Sequence, residues 1–362
     1  MEKILSYKCP SCGSTLIFDN KSQKMLCTSC DSKYDLETIQ KYDDILNESS
    51  TNEDINFNQC QTNLNDFDDN EKEQMIIHTC PSCGADIITD STTSSTECVY
   101  CGNKTIISEN LSGIYKPNFI IPFKLDKEDA KNALKKFYKN KFLLPNDFVD
   151  ENKIDKVTGV YVPFWLYDCD VHAKVTYESE IITTWSDSEY QYTKTDHYLN
   201  FREGDIGFRH VPVDGISKFD ESLMDAIEPF DISESCDFNM AYLSGYQADK
   251  YDIDSEESKG RANIRITNST FDTFRSTVCG FSSVIPKSSS IDIDHGKIEY
   301  ALLPVWLLNS KYKDKTYSFA MNGQTGKLMG SLPISRAKYW GLVGGITGIL
   351  TLIGNLLYWF LI

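Results

Sequence analysis

Two copies of one cysteine tetrad constrain this chain more than any other feature of its sequence. In each copy, two CxxC pairs are separated by fourteen residues. The first tetrad comprises Cys9, Cys12, Cys27 and Cys30, and the second comprises Cys80, Cys83, Cys98 and Cys101.

This spacing is typical of structural zinc. A two-residue gap lets one tight turn present both sulfurs to a single ion, and two such turns complete a tetrahedron. Gly13 and Gly84 follow the first pair of each copy, where a residue that tolerates positive φ is needed. The tetrads therefore predict two zinc ribbons with two structural Zn²⁺ sites. All four ligand positions in each site are filled, so neither is expected to be catalytic.

Disulfides, a redox CxxC motif and an iron–sulfur cluster are the competing interpretations of these cysteines. Each has to account for eight cysteines that fall into two copies of one spacing, which zinc explains more simply. A redox CxxC also needs a βαβ context that the pattern lacks. A ribbon of about thirty residues cannot bury enough apolar surface to fold alone, so metal binding would supply its folding free energy.

The charge distribution argues against nucleic acid as the partner of the ribbons. The 362-residue chain has a net charge of −17, and residues 41–74 form an acidic segment that predicts a disordered linker. Cys60 in this linker is predicted to be a reduced thiol. Residues 75–115 contain Lys104 as their only lysine or arginine, against four acidic side chains. A surface that neutralises phosphates needs several basic residues, so the ribbons are predicted to bind proteins.

The C-terminal residues 339–362 contain no charged side chain. As a helix they would be long enough to cross a bilayer, with aromatic residues near both ends and Arg336 and Lys338 just before the span. They predict a transmembrane helix, with a buried core helix as the alternative. We expect a tail-anchored, single-pass protein of the cell membrane, with most of the chain cytoplasmic. Gly341/Gly345 and Gly344/Gly348 would permit homo-oligomerisation through this helix.

The residues between the second ribbon and this segment predict strands interrupted by a few helices. One helix is expected to begin at Asp126, and another to run from Asp254 to about Val278 with Ile264, Phe271 and Phe274 facing the core. The overall prediction is an α+β multidomain protein with two small β zinc ribbons, a strand-rich α+β domain and one C-terminal transmembrane helix. Its predicted segments are zinc ribbon 1 (1–40), the acidic linker (41–74), zinc ribbon 2 (75–112), the α+β domain (113–334) and the transmembrane helix (339–362).

The sequence carries no recognisable catalytic motif. A nucleotide-binding P-loop, a GxSxG elbow, an HExxH helix and a kinase signature do not occur in it. Cys169 and His172 have a CxxH spacing that could hold a metal if Cys236 and Cys279 joined them in the fold. We expect no enzyme, although an active site assembled only in the folded middle domain remains the alternative.

Several segments together resemble a known family of Gram-positive bacterial proteins, which is described as TFIIB-type zinc-ribbon-containing. These are the paired ribbons and the segments 121–125, 159–166, 211–215, 303–307 and 321–326. The resemblance covers nearly the whole chain. It identifies the eight tetrad cysteines as metal ligands and implies no catalytic residues. Members are often labelled as related to the helicase PriA, but this chain has no helicase motor.

The sequence therefore predicts a membrane-anchored, cytoplasmic-facing adaptor or scaffold that binds protein partners at the inner membrane face without catalysis. The alternative is a membrane-tethered nucleic-acid-binding zinc-ribbon protein associated with replication or transcription.

Overall fold

The structure is a computed structural model. It describes residues 7, 9, 16–19, 24–27, 33–36, 38–40, 61–62, 64–68, 71–72, 75–90, 98–101, 107–110, 115–139, 141–148, 154, 156–218, 221–313 and 315–361. Cys12, Cys30, Cys60 and most of the predicted acidic linker lie outside these residues.

Strands dominate the fold. In chain order they are β1 (Leu16–Asp19), β2 (Lys24–Cys27), β3 (Lys33–Tyr34), β4 (Gln61–Thr62), β5 (Asn65–Asp66), β6 (Met75–Thr79), β7 (Asp86–Asp90), β8 (Ile107–Asn110), β9 (Tyr115–Lys116), β10 (Phe119–Ile120), β11 (Thr158–Ser186), β12 (Gln191–Asp214), β13 (Cys236–Asp237), β14 (Gln247–Asp249), β15 (Ser283–Tyr312), β16 (Lys315–Asn322) and β17 (Leu328–Gly330). The α-helices are α1 (Lys127–Tyr138), α2 (Glu221–Ile227), α3 (Ser255–Ser276) and α4 (Arg336–Leu361), and short 3₁₀ helices cover Ile232–Glu234 and Met240–Leu243.

The chain divides into two compact units, each built from three separate segments. Unit 1 comprises Met1–Asn63, Trp165–Val213 and Ser255–Glu299, and unit 2 comprises Leu64–Phe164, Asp214–Asp254 and Tyr300–Ile362. The long strands β11, β12 and β15 each contain a boundary between these segments.

Unit 2 is built around a mixed sheet. Its strand order is β13-β10-β15-β11-β14-β7-β6-β8, and β16 and β17 continue outward from β15. The helix predicted from Asp126 is confirmed: Asp126 caps α1 by accepting a hydrogen bond from the Asp129 amide, and the Asp129 carboxylate accepts one in return. The buried side chains of α1 join a core with Phe148, Trp306 and Phe319.

Unit 1 contains a small antiparallel sheet of β1, β2 and β3, and a long pair of strands, β11 and β12. Along β11 the odd-numbered residues from Trp165 to Tyr177 are buried. Tyr177 donates its hydroxyl to the Phe271 carbonyl on α3 at 2.8 Å, so this helix covers the odd-numbered face. Even-numbered residues of β11 therefore lie on the opposite face, because strand side chains alternate.

The position of α3 agrees with the helix predicted from Asp254, but one predicted core residue is wrong. Phe271 and Phe274 are buried, whereas Ile264 is 47% exposed. The buried stripe runs through Ala262 and Ile266, four residues apart on one helix face. Ile264 lies midway between them and therefore points to the other side.

The C-terminal segment does form a helix, α4, but the membrane predictions fail. No helix among the described residues combines the length and the apolar character that crossing a bilayer requires. Arg336 and Lys338 lie in the first turn, and glycines, Thr347, Thr351 and Asn355 interrupt the apolar run. This finding contradicts the transmembrane helix over 339–362, the tail anchor and the single-pass cell-membrane location. The predicted fold class is therefore wrong in including a transmembrane helix. Self-association through the helix glycines stays a prediction.

Candidate metal centre

The first cysteine pair of the second tetrad lies in the turn between β6 and β7. These strands pair antiparallel, with a register that ends at Thr79 opposite Asp86. The Cys80 amide donates to the Ala85 carbonyl and the Gly84 amide donates to the Cys80 carbonyl, both at 2.8 Å. Gly84 has a φ of 71°, the positive value expected for it. The chain thus makes the tight turn that the CxxC spacing predicts.

The second pair completes a compact group of sulfurs. Cys80 Sγ lies 3.6 Å from Cys101 Sγ, and Cys83 Sγ lies 3.7 Å from Cys98 Sγ. All four sulfurs lie within 4.8 Å of one another. A disulfide requires sulfurs about 2.05 Å apart, so these contacts are not disulfides. The four cysteines form a cluster that could hold a metal ion.

Burial and hydrogen bonding make three of the four thiols unequal in pKa. Burial opposes ionisation of Cys80, but the amides of Cys83 and Ser82 donate to its sulfur and, with neighbouring thiols, lower its pKa to about 7. Burial raises the pKa of Cys83 and Cys98. Backbone amides aimed at a cysteine sulfur stabilise the thiolate, the form in which cysteine binds metals. Of Cys80, Cys83 and Cys98, Cys80 therefore has the sulfur that ionises most readily.

The second CxxC turn, Cys98 to Cys101, is called a knuckle here. The two residues between its cysteines, Val99 and Tyr100, hydrogen-bond to other segments of unit 2. The Asn309 side-chain amide donates to the Val99 carbonyl at 3.0 Å. The Tyr100 hydroxyl donates to the Asp249 carboxyl, and the Lys218 ammonium lies 5.6 Å from the centre of the Tyr100 ring. The sequence analysis missed Asp249 and Asn309, because nothing in the local sequence links either residue to a knuckle so distant along the chain.

Asp249 lies on β14 in an environment that opposes its charge. It is fully buried next to β7, and among the described residues its Oδ1 atom has no hydrogen-bond partner. Burial, followed by the charges of Asp252 and Asp86, raises the pKa of Asp249 well above its usual value. The carboxyl therefore retains its proton in the fold at pH values where the unfolded chain loses it.

This retained proton predicts a pH-dependent stability. The contribution of Asp249 is complete below its unfolded pKa of about 4 and is lost as the pH rises toward the higher folded pKa, by up to about 1.4 kcal/mol per pH unit. An Asp249→Asn variant should lose this slope. The measurement is denaturant unfolding at several pH values from about pH 4 upward, with the variant and the wild type compared at each pH. Asp237→Asn, which removes an exposed carboxylate from unit 2, is the control, and equal slopes in wild type and Asp249→Asn would contradict the prediction.

The first tetrad is described in part. Cys9 and Cys27 are buried in a small core with Leu16, Met25 and Tyr34. Cys9 Sγ lies 3.9 Å from the Tyr34 hydroxyl, and Cys12 and Cys30 lie outside the described residues. Of the eight predicted ligands, the structure therefore brings together the four of the second tetrad, and the first site stays a prediction.

A comparison with known proteins decides the family. The chain is 35% identical over 345 residues to a protein of Bacillus subtilis (strain 168) whose name is "Uncharacterized protein YdjG", and the match covers 95% of both chains. The chain belongs to the YdjG family. No protein-family model and no solved structure matches it, so the resemblance to TFIIB-type zinc-ribbon proteins stays a prediction. The name of the YdjG relative states no activity and assigns no role to any residue.

The middle of this YdjG-family chain contains a second group of potential ligands, which differs from the set considered around the CxxH spacing. Cys169 and His172 are not gathered with Cys236 and Cys279 among the described residues. Asp168, His210 and Glu299 are gathered instead, with one ligand atom from each within 4.8 Å of the others. The sequence gives no signal for this group, because its members are far apart along the chain and follow no recognised spacing.

Proposed function

We propose that this YdjG-family chain is a non-enzymatic adaptor that binds protein partners and uses zinc as a structural ion in its ribbons. The observation that carries the proposal is an exposed aromatic surface on the β11–β12 hairpin. The cysteine cluster supports the proposal because four protein ligands would fill a tetrahedral zinc site and leave no position open for catalysis. The negative charge of the chain supports a protein rather than a nucleic acid as the partner.

Zinc is the ion that the second tetrad fits best. Four thiolates around Zn²⁺, with bonds of about 2.3 Å, are separated by tetrahedral edges of about 3.8 Å. Two of the sulfur pairs are 3.6 and 3.7 Å apart. Four thiolates in tetrahedral positions select zinc or iron–sulfur chemistry, and a filled tetrahedron leaves no position for a substrate. We extend the same assignment to the first tetrad on its identical spacing.

The hairpin projects aromatic side chains into solvent. We call the part from Glu178 to Phe201 the aromatic arm. The Trp185 and Tyr192 rings stack with centroids 5.5 Å apart, and the Tyr190 ring lies 6.3 Å from that of Tyr192. Tyr190 is 63% exposed and Phe201 is 70% exposed. Clustered exposed aromatic residues of this kind are typical of protein-binding surfaces.

The tip of the aromatic arm is held in shape before any partner binds. The Asp187 carboxylate accepts the amides of Glu189 and Tyr190 at 2.9 and 2.7 Å, and the Tyr192 hydroxyl at 3.0 Å. These hydrogen bonds from the two amides and the hydroxyl lower the pKa of Asp187, because they stabilise its ionised carboxylate, and they fix the turn. A surface ordered in advance loses less conformational entropy on binding.

The charge of the aromatic arm indicates the chemistry of its partner. From Glu178 to Phe201 the chain carries five carboxylates against one lysine. An acidic rim around aromatic side chains complements a partner that combines basic and apolar side chains. It repels nucleic acid, whose binding depends on neutralising phosphates.

Removing the stacked pair should weaken partner binding. A double variant, Trp185→Ser with Tyr192→Ser, deletes both rings at a site where an anchor residue contributes about 2 kcal/mol or more. Panning a displayed peptide library on the wild-type protein should enrich peptides that combine Lys or Arg with apolar residues. Their dissociation constants, measured by fluorescence anisotropy, should rise at least about tenfold for the double variant.

Phe142→Ser is the matched control, because Phe142 is a 65% exposed aromatic residue of unit 2 outside the aromatic arm. It should leave peptide affinity unchanged. Equal affinities for wild type and the double variant would place binding elsewhere and remove the arm from the proposal. Binding of DNA or RNA with a steep salt dependence would favour a nucleic-acid function instead.

A further inference from the structure

Three neighbouring strands of unit 1 bring together two carboxylates and an imidazole. Asp168 lies on β11, which has β12 on one side and β15 on the other. His210 lies on β12 and Glu299 on β15. The His210 amide donates to Asp168 Oδ1 at 2.5 Å, and His210 Nε2 lies 3.6 Å from Glu299 Oε2.

The sheet itself explains why these side chains share one surface. The odd-numbered residues of β11 pack beneath α3, where the Tyr167 hydroxyl donates to the Ser255 carbonyl at 2.8 Å. Asp168 therefore lies on the face away from α3. His210 has a φ of 54°, a left-handed conformation that a residue with a Cβ adopts rarely, and its amide turns toward Asp168.

Glu299 is the unusual member of the group. It is 3% exposed, and glutamate is almost never buried to this degree unless it is paired or bound to a metal. One carboxylate oxygen contacts the ammonium of Lys297, whose side chain is 45% exposed. The other oxygen faces His210 at 3.6 Å, which is too long for a hydrogen bond. It is close to the separation of about 3.4 Å between two ligands of one ion with bonds of about 2.1 Å.

We propose that Asp168, His210 and Glu299 bind a divalent first-row transition metal ion. One imidazole nitrogen and two carboxylates suit Mn²⁺, Fe²⁺ or Zn²⁺, and of these three ions Mn²⁺ is the one that thiolate tetrads favour least. Three protein ligands leave coordination positions for water, in contrast to the filled tetrahedron of the ribbon. Lys297 competes with the ion for Glu299, and its half-exposed side chain can turn into solvent when the ion binds.

Mn²⁺ is the probe that separates this site from the cysteines, because thiolates bind it poorly. The full chain, with its tetrads loaded with zinc, is titrated with Mn²⁺ while electron paramagnetic resonance measures the free ion. We expect one bound Mn²⁺ per chain. Glu299→Gln should weaken binding by at least about tenfold, as loss of a metal ligand does. His210→Asn should do the same, and asparagine tolerates the positive φ at this position.

A second cluster on the same strands supplies the control. His172 lies 2.7 Å from Asp205 and 3.6 Å from Glu203, but these groups are largely exposed. His172→Asn and Glu203→Gln should leave Mn²⁺ binding unchanged. If these substitutions abolish Mn²⁺ binding while Glu299→Gln does not, the site is wrongly placed and the proposal is overturned.

The Lys297→Met variant distinguishes a metal site from an ion-pair network. Its result can be interpreted even if the other variants fold poorly. If Lys297 competes with the ion, removing its charge should tighten Mn²⁺ binding by about fivefold, the size of one partly exposed ion pair. Unchanged or weaker binding in this variant, or no saturable binding of Mn²⁺ or of additional Zn²⁺ by the wild type, would overturn the proposal.

Discussion

Replacing Cys98 by serine should release one zinc ion per chain and unfold the ribbon built on the second tetrad. Serine cannot supply the thiolate that completes the tetrahedron, and binding of a structural zinc ion contributes about 10 kcal/mol or more to folding such a module. The knuckle would then lose its ties to Asn309 and Asp249. Metal analysis gives the zinc content, and hydrogen exchange should show lost protection over β6 and β7.

Cys279→Ser is the matched control for this experiment. Cys279 is an exposed thiol of unit 1 that belongs to no metal-binding group among the described residues. Its replacement should leave both zinc content and exchange unchanged. Treatment of the wild type with a strong chelator should cause the same loss of protection over β6 and β7. If Cys98→Ser retains its full zinc content and its protection over β6 and β7, the metal assignment fails.

Replacing Trp306 by alanine should give the second large effect, a loss of about 3–5 kcal/mol from the free energy of unfolding. The indole is 5% exposed in the core of unit 2. Its Nε1 donates to the Leu125 carbonyl at 3.1 Å, and its ring centre lies 5.1 Å from that of Phe123. Alanine would leave a large cavity and a buried carbonyl without its donor.

Trp185→Ala tests whether burial is the cause, because it makes the same chemical change at a residue that is 49% exposed. The change at Trp185 should alter the unfolding free energy by no more than about 0.5 kcal/mol. Denaturant unfolding of both variants measures the difference. Equal losses would mean that indole burial does not account for the stability of unit 2.

Local patterns predicted local structure well. The CxxC spacing and Gly84 predicted the turn at Cys80 to Ala85, because a tight turn is determined by its own few residues. The helix expected to begin at Asp126 forms for the same reason, because its first turn is capped by Asp126 itself. The turn after Asn322 is equally local: Asn322 Oδ1 accepts the Gln324 amide at 2.9 Å, and Gly326 has a φ of 79°.

Features that depend on distant segments were not predictable in this way. Asp168 and His210 are 42 residues apart, and only the pairing of β11 with β12 makes them neighbours. The prediction that Ile264 is buried is wrong because helical spacing shows which residues share a face of a helix. It does not show which face packs against the core. The membrane span was inferred from the lack of charge over 339–362, whereas crossing also requires sustained apolar character, which the described part of α4 does not reach.

The interleaved segments of the two units restrict how the chain can fold during synthesis. Unit 1 lacks its last segment until the ribosome has passed Glu299, and unit 2 needs residues beyond Tyr300. Most proteins of this size fold domain by domain from the N-terminus, which shortens the time that unpaired strands are exposed. Here, early segments such as β6 and β7 must wait for partners made much later, so a metal ion that orders the knuckles would protect the nascent chain.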